Sequence, residues 1–352
     1  MTVYLDHNAT SPILPEVLEA MRPWLGVPAN PSSAHGYGQR ATVAVEEARA
    51  HVAALVNGVA AGVVFTSGAT EANHTFIRGL RDVSTVAVSG IEHPCVLDAV
   101  ARLDAMALPI PVRASGLMGA VPKADLVVMM AANHETGVVQ PVAEARASQP
   151  DALLHVDATQ AAGRIPLDLS TVDGAVLSSH KLGGPGGVGA LILRSGDPFP
   201  SLIGGGSQER GRRAGTVFTA GVVGFGEACR LAATELEERR ARWIPWSREI
   251  RRTVVELGGE VVGDELLDNT TCAVFAGIVG ETLVQALDLR GVAASAGAAC
   301  ASGSLEASPV LIAMGHAHPE CVLRLSLGPR TTAAEVQEGI ASLRAIVPLL
   351  RQ

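Results

Sequence analysis

Short, unbroken apolar runs recur through the first two-thirds of the chain, each ending in polar or glycine-containing residues. They are Val63-Val64-Phe65, Thr85-Val86-Ala87-Val88, Leu126-Val127-Val128-Met129-Met130, Leu153-Leu154-His155-Val156, Ala175-Val176-Leu177 and Gly189-Ala190-Leu191-Ile192-Leu193. Continuous rather than alternating runs describe strands buried on both faces, as in a mostly parallel sheet covered by helices. Stretches with three- and four-residue apolar spacing lie between them, Arg40 to Val56 among them, and predict those helices. From Phe218 a helical pattern runs to Leu257, and Pro245, which lacks a backbone donor, predicts a break in it. Beyond come a strand over Cys272 to Ile278, a helix from Glu281 to Leu289, a strand containing Arg324 and a terminal helix from Ala333. The pattern predicts an α/β fold: a large domain over residues 16–235, with its mostly parallel sheet covered by helices, and a smaller α+β domain from residues 1–15 and 236–352. Glycine-rich or small-residue stretches at 183–189, 204–215 and 294–304 read as its looser loops.

Ligands of such sheets bind at the carboxyl ends of the strands. There, His155-Val156-Asp157-Ala158-Thr159-Gln160 closes one run and Ser178-Ser179-His180-Lys181 closes the next. An aspartate and a lysine at adjacent strand ends can face one small molecule from opposite sides. A lysine amine that joins a carbonyl, opposite a carboxylate that keeps a pyridinium protonated, is the pair that pyridoxal 5'-phosphate (PLP) chemistry requires. The same residue types also suit a solvated loop lysine and a helix-capping aspartate. Thr66-Ser67-Gly68-Ala69-Thr70-Glu71 follows a strand and opens a helix, so its small residues let backbone amides approach a phosphate. An ordinary helix cap has the same appearance. No G-x-x-x-x-G-K-[ST] segment is present, and the glycines of 183–187 follow Lys181 instead of preceding a lysine.

Composition removes several classes. With 35 acidic and 27 basic residues the net charge is -8, and no basic stripe exists, which excludes nucleic acid as the primary ligand. No apolar run reaches membrane-spanning length, and the first residues carry no signal-peptide pattern. The five cysteines (Cys95, Cys229, Cys272, Cys300, Cys321) are odd in number, widely spaced and without a C-x-x-C pair. That predicts reduced thiols, a cytoplasmic location and no metal site.

An ordered series of segments resembles one family along nearly the whole chain. It comprises Tyr4-Leu5-Asp6-His7-Asn8-Ala9-Thr10, Asn30-Pro31-Ser32-Ser33-Ala34-His35, Phe65 to Asn73, Glu92-His93, and Asn133-His134-Glu135-Thr136-Gly137. It continues with His155 to Gln160, Ser178 to Gly187, Gln208 to Thr216, Ala299-Cys300-Ala301-Ser302 and Arg324-Leu325-Ser326-Leu327-Gly328. These resemble the cysteine desulfurases of the NifS/IscS type, class V aminotransferases of the fold-type I PLP enzymes. The resemblance implies conversion of L-cysteine to L-alanine, with sulfur held as a persulfide on Cys300 and passed to an acceptor protein for iron–sulfur cluster, thio-cofactor or tRNA biosynthesis. It implies that Lys181 carries PLP covalently, that Asp157 protonates the pyridine nitrogen and that Gln160 meets the phenolic oxygen. His93 would stack on the ring and move protons at the substrate. Ala69, Thr70, Ser178 and His180 would hold the phosphate, joined by Thr216 from the neighbouring subunit of a homodimer. Asn133 and Arg324 would grip the substrate, the arginine fork matching an α-carboxylate. Cys300 lies among tiny side chains that bend at little cost, as a sulfur carrier needs, and the other four cysteines read as core. Alternatives on the same scaffold are a selenocysteine lyase, an aminotransferase, a kynureninase-like lyase or a non-catalytic sulfur carrier. The chain departs from the family in Ser179 for a glycine, His134 for an asparagine and an early C-terminus at Gln352, where relatives serving the iron–sulfur scaffold use a longer docking tail.

Overall fold

A computed structural model describes residues 3–297 and 307–351, so Cys300 and its neighbours lie outside the described residues. The strands in chain order are β1 (Val3–Tyr4), β2 (Val63–Thr66), β3 (Thr85–Ser89), β4 (Met106–Ile110), β5 (Leu126–Met130), β6 (Leu153–Asp157), β7 (Gly174–Ser178), β8 (Gly189–Leu193), β9 (Glu260–Val261), β10 (Thr270–Val274), β11 (Val292–Ala293) and β12 (Val322–Ser326). The helices are α1 (Pro15–Leu25), α2 (Gly36–Ala54), α3 (Ala69–Gly79), α4 (Pro94–Ala101), α5 (Val142–Ser148), α6 (Thr219–Thr234), α7 (Leu236–Glu256), α8 (Gly280–Asp288), α9 (Pro309–Ala313) and α10 (Ala333–Leu350).

Seven strands form one sheet in the order β2-β8-β7-β6-β5-β3-β4. Within it β8 runs antiparallel to β2 and β7, and the other pairs are parallel. Successive residues of a strand point to opposite faces, and here both faces are covered. Val127, Met129, Leu154 and Val156 join an apolar cluster with Val45, Val52 and Phe225 of α2 and α6. Leu126, Val128 and Val176 instead join Phe76, Ile77 and Val96 of α3 and α4. This double burial is why the strand signal is continuous. Gly226 lets α2 and α6 touch, since a Cβ there would sit 2.5 Å from the Ala48 Cβ.

A second, three-stranded antiparallel sheet (β12-β10-β9) and the parallel pair β1-β11 occupy the later part of the chain. Their own apolar cluster gathers Trp243 and Ile250 of α7, Leu283 of α8, Leu323 and Leu325 of β12, and Ile340 and Leu343 of α10.

Two sequence expectations change. The long helical pattern breaks at Glu235, between α6 and α7, and Pro245 sits inside α7. Pro245 is exposed, so the carbonyl it leaves unpaired can reach water and the helix continues through it. The edge strand β4 was not foreseen, because it is largely exposed and carries Pro109.

Candidate active site

Strands β5, β6 and β7 end together at a cavity of about 570 Å³, a size suited to a cofactor and a small substrate. The N-terminal segment crosses its mouth. Asn8 N–H donates to Ser326 Oγ at 2.9 Å and Asn8 Nδ2 to Thr270 Oγ1 at 3.1 Å, while Ser11 N–H donates to the His180 carbonyl at 2.8 Å. Residues 4–11 therefore tie the two sheets together over the cavity.

Lys181 follows β7 on a short 3₁₀ turn, and its Nζ donates to the carbonyls of Asn8 at 2.6 Å and Ala9 at 2.7 Å. Asp157 ends β6. Its Oδ1 accepts from Thr159 N–H at 3.0 Å and its Oδ2 from Asn73 Nδ2 at 2.9 Å. Asn73 in turn accepts from His155 Nε2 at 2.7 Å, and both residues are fully buried. Helix α3 opens at Ala69 with no side-chain cap, leaving backbone N–H groups of its first turn aimed at the cavity beside Ser178 and His180. The loop before it can sit close to β8 because Gly189 has no side chain: a Cβ there would lie 2.7 Å from Gly68 backbone atoms.

His93 caps α4, its Nδ1 accepting from Cys95 N–H at 3.2 Å, with Cys95 Sγ at 3.0 Å. Burial and the charge of His134 push the His93 pKa down, so the ring is neutral with its proton on Nε2. Gln160 donates from Nε2 to the Asn8 carbonyl at 3.0 Å, while its Oε1 accepts from Arg164. Arg324 lines the opposite wall, with Nη1 on the His134 carbonyl at 2.9 Å and Nη2 on Asp6 at 2.7 Å. Its Nε is buried without a partner among the described residues.

The cavity thus brings together Ala69, Thr70, His93, Asp157, Gln160, Ser178, His180, Lys181 and Arg324. Asn133 stands apart. It is fully buried, its Oδ1 accepts from the Glu135 and Thr136 amides, and its Nδ2 donates to the Ile91 carbonyl and faces Met130 Sδ. Its amide is consumed in shaping the turn that presents His134 and Glu135, which leaves it nothing to grip a substrate with. Thr216 is exposed and does not line the cavity of its own chain.

Three lining residues escaped the sequence reading. Cys95, taken as core, lies against His93, and burial together with the Asp157 charge pushes its thiol up to about 12. Its place two residues past a helix-capping histidine was the available signal. Glu92 is buried, with Oε2 unpartnered, and burial pushes it up to about 8. Thr159 also lines the cavity, and its buried hydroxyl has no hydrogen-bond partner among the described residues.

The donor set fits PLP. An amine, a carboxylate, a side-chain amide and a helix N-terminus match its aldehyde, pyridine nitrogen, phenolic oxygen and phosphate, and the orphaned Thr159 hydroxyl lies among them. Fold and site define a PLP-dependent enzyme of the fold-type I class. The aminotransferase class-V family model matches residues 3–338. A cysteine desulfurase of Trichormus azollae is 37% identical over 99% of this chain and 94% of its own. A solved structure described as a NifS-like protein superposes with a TM-score of 0.90 at 31% identity, covering 99% of this chain and 100% of its own. Another, described as SspA in complex with cysteine, gives a TM-score of 0.79 at 30% identity over 94% of this chain and 100% of its own. The chain belongs to the class V aminotransferase family, among its cysteine desulfurases.

Proposed function

We propose that this PLP-dependent cysteine desulfurase stores the sulfur it removes as a persulfide on Cys300. The observation carrying the reading is the convergence of the Lys181 amine and the Asp157 carboxylate on one cavity with a helix N-terminus at its end. When bound, PLP supplies a carbonyl that captures the substrate amine and a ring that withdraws electrons from it. Lys181 anchors the cofactor, and Asp157, oriented by Asn73, holds the pyridine nitrogen protonated. The first amides of α3, with Ser178 and His180, hold the phosphate. Arg324 accepts the substrate carboxylate in a two-pronged contact, exchanging its Asp6 partner for it. A structural neighbour described in complex with cysteine supports a substrate of that size. His93, fixed at Nδ1, presents Nε2 to the cavity, where protons move at the substrate. L-cysteine and the Cys300 thiol become L-alanine and the Cys300 persulfide, with no external oxidant. An acceptor protein then takes the sulfur toward iron–sulfur clusters, thio-cofactors or thiolated tRNA, in the cytoplasm.

A homodimer supports the phosphate end, which a single chain leaves open at exposed Ser67 and Thr70. Exposed Leu202, Ile203 and Phe218 flank Thr216 and suit a second copy that delivers it. The division into residues 16–235 and residues 1–15 with 236–352 is supported by the separate sheets, although the larger apolar cluster reaches across the seam through Leu14, Cys272, Val274, Leu311 and Val322. No helix among the described residues is long and apolar enough to cross a membrane.

Borohydride reduction followed by peptide mapping should place a pyridoxyl mass on Lys181. Cys300→Ser should keep the bound cofactor yet form no persulfide; undiminished alanine and sulfide from that variant would rule the carrier role out.

A further inference from the structure

Arg164 is a buried cation with no counter-ion among the described residues. It is 4% exposed, and its guanidinium donates to three neutral oxygens: Gln160 Oε1, the Gln160 carbonyl at 3.0 Å and the His7 carbonyl at 3.4 Å. The acids around the site offer Arg164 no carboxylate: burial holds Glu92 protonated near neutral pH, and Glu135 accepts from Ser308 and lies beside His134. Asp6 pairs with Arg324 at 2.7 Å, Glu235 pairs with Arg239 at 3.1 Å, and Asp157 accepts from Asn73. A small void beside Arg164 is lined by more cations, Lys181 and Arg239, with His7. A buried charge normally carries a partner, because desolvation costs more than neutral hydrogen bonds return. The arrangement is therefore short of one negative charge next to Gln160.

We infer that Arg164 is a positioning residue for the cofactor's phenolic oxygen: it locks the Gln160 amide with N–H toward the ring, and its charge stabilises that oxygen in ionised form. The inference rests on the PLP reading and deepens it. Gln160 could otherwise be placed with its oxygen and nitrogen exchanged. With a guanidinium on one end, the end it touches must be oxygen, because a donor there would face a donor. The amide nitrogen then has two hydrogens, one used by the Asn8 carbonyl and one left for the cavity. The cation withdraws electrons from the amide oxygen and makes that N–H a stronger donor. Burial and the repulsion of Arg324 lower the Arg164 pKa to about 9, the direction expected of a cation lacking its anion. Other charged or titratable groups lining these two spaces are Lys181, Arg239, Arg324, His7, His93, His134, His180, Glu92, Glu135, Asp157 and Cys95. Burial, then the charges of Lys181 and Arg164, push His180 down to about 4, so it adds no positive charge near neutral pH.

The test is a pH titration of the visible absorption of the PLP-loaded enzyme, in wild type, Arg164→Met, Arg164→Lys, Gln160→Ala and the Arg164→Met/Gln160→Ala double variant. Loss of the cation should raise the midpoint in Arg164→Met by about one unit, roughly a tenfold gain in proton affinity. Arg164→Lys, which keeps charge but loses the fork, should shift in the same direction by less, and it carries the test if the Met variant does not fold. In the Gln160→Ala background the Arg164→Met change should add little, because the effect passes through the amide. Wild-type midpoints in the Arg164 variants, or full additivity in the double variant, would overturn the inference. A wild-type protein that develops no visible band with PLP would instead overturn the cofactor reading beneath it.

Discussion

Asn73 shows how much one side chain decides at this site. An ionised carboxylate can only accept, so the Asn73 nitrogen must face Asp157 and its oxygen must face His155 Nε2, which makes His155 a neutral donor. Burial agrees, pushing His155 down to about 4. Asn73→Ala would leave the His155 N–H buried and unpaired and Asp157 short of one donor, a loss of about 2–4 kcal/mol in stability by urea unfolding. Cofactor affinity should fall with it, since the carboxylate loses its orientation. Buried titrations set the pH response as well. His7, His155 and His180 are all pushed down to about 4, so below pH 6.5 the unfolded chain binds protons that the folded one refuses. Stability should then drop as pH falls from 6.5 toward 4, by about 1.4 kcal/mol per unit for each of His7 and His155 and by less for the more exposed His180. Glu92, raised to about 8, acts oppositely: the folded state holds a proton the unfolded state lacks between 4.5 and 8, and stability falls as pH rises. Three histidines outweigh one glutamate below 6.5, and between 6.5 and 8 Glu92 sets the slope. Urea midpoints of the cofactor-free protein should therefore peak near pH 6.5 and be lower at both 5 and 8; a level profile would show that these groups titrate normally.

Among the elements, the segment before α6 is anchored by a buried ion pair, with Arg213 on Glu71 as a second, partly exposed one. Arg49 of α2 meets Glu209 through both nitrogens, at 2.8 and 2.9 Å, and Glu209 also accepts from Phe65 N–H at 2.8 Å. Glu209 and Arg210 both adopt left-handed backbone, at φ 48 and 59, held in place by these contacts and by the Arg210 bond to the Ala61 carbonyl at 3.0 Å. Glu209→Ala removes the buried partner of a cation that is 3% exposed and leaves it only Glu46, at 3.0 Å from its Nε, which should cost about 2–4 kcal/mol and free the loop carrying Thr216. Limited proteolysis should then cut within 204–217 in the variant and spare the wild type. The motif around Gln208 to Thr216 was legible in the sequence as a family marker, but its anchor was not. Nothing local to Glu209 points to Arg49, since the pair joins residues 160 apart. The strands of the large sheet were legible because both faces are buried, whereas β4 was hidden by its exposed edge. The helix break was misplaced because an exposed proline is tolerated where a buried one is not.

At the scale of the whole molecule, the residues for PLP chemistry were legible because each ends a buried strand or opens a helix, where local sequence fixes direction. Cys95, Glu92 and Arg164 were not, because their roles come from neighbours that the fold supplies. Thr216 lies outside the cavity of its own chain, and in the dimer proposed above a second copy would bring one to the phosphate end. The exposed apolar side chains agree with such a neighbour. Phe218 is 52% exposed two residues from Thr216, Val43 is 58% exposed on α2, and Tyr37 beside it lines an apolar groove with Trp24. Single exposed apolar residues are ordinary, but Tyr37, Val43 and Trp24 line one groove together, which suits a covered face. Phe218→Asp and Val43→Glu should cost each isolated chain under about 0.5 kcal/mol, because their side chains are largely in water there. In a dimer the same charges would be buried against the partner. Sedimentation should therefore show wild type at twice the 36.2 kDa chain mass and the double variant at the chain mass itself. The variant should also bind PLP more weakly, by the loss of the Thr216 hydroxyl, and dilution of the wild type should weaken binding in the same way. A wild-type chain that sediments alone while holding its cofactor at full strength would mean that one copy completes the phosphate site unaided.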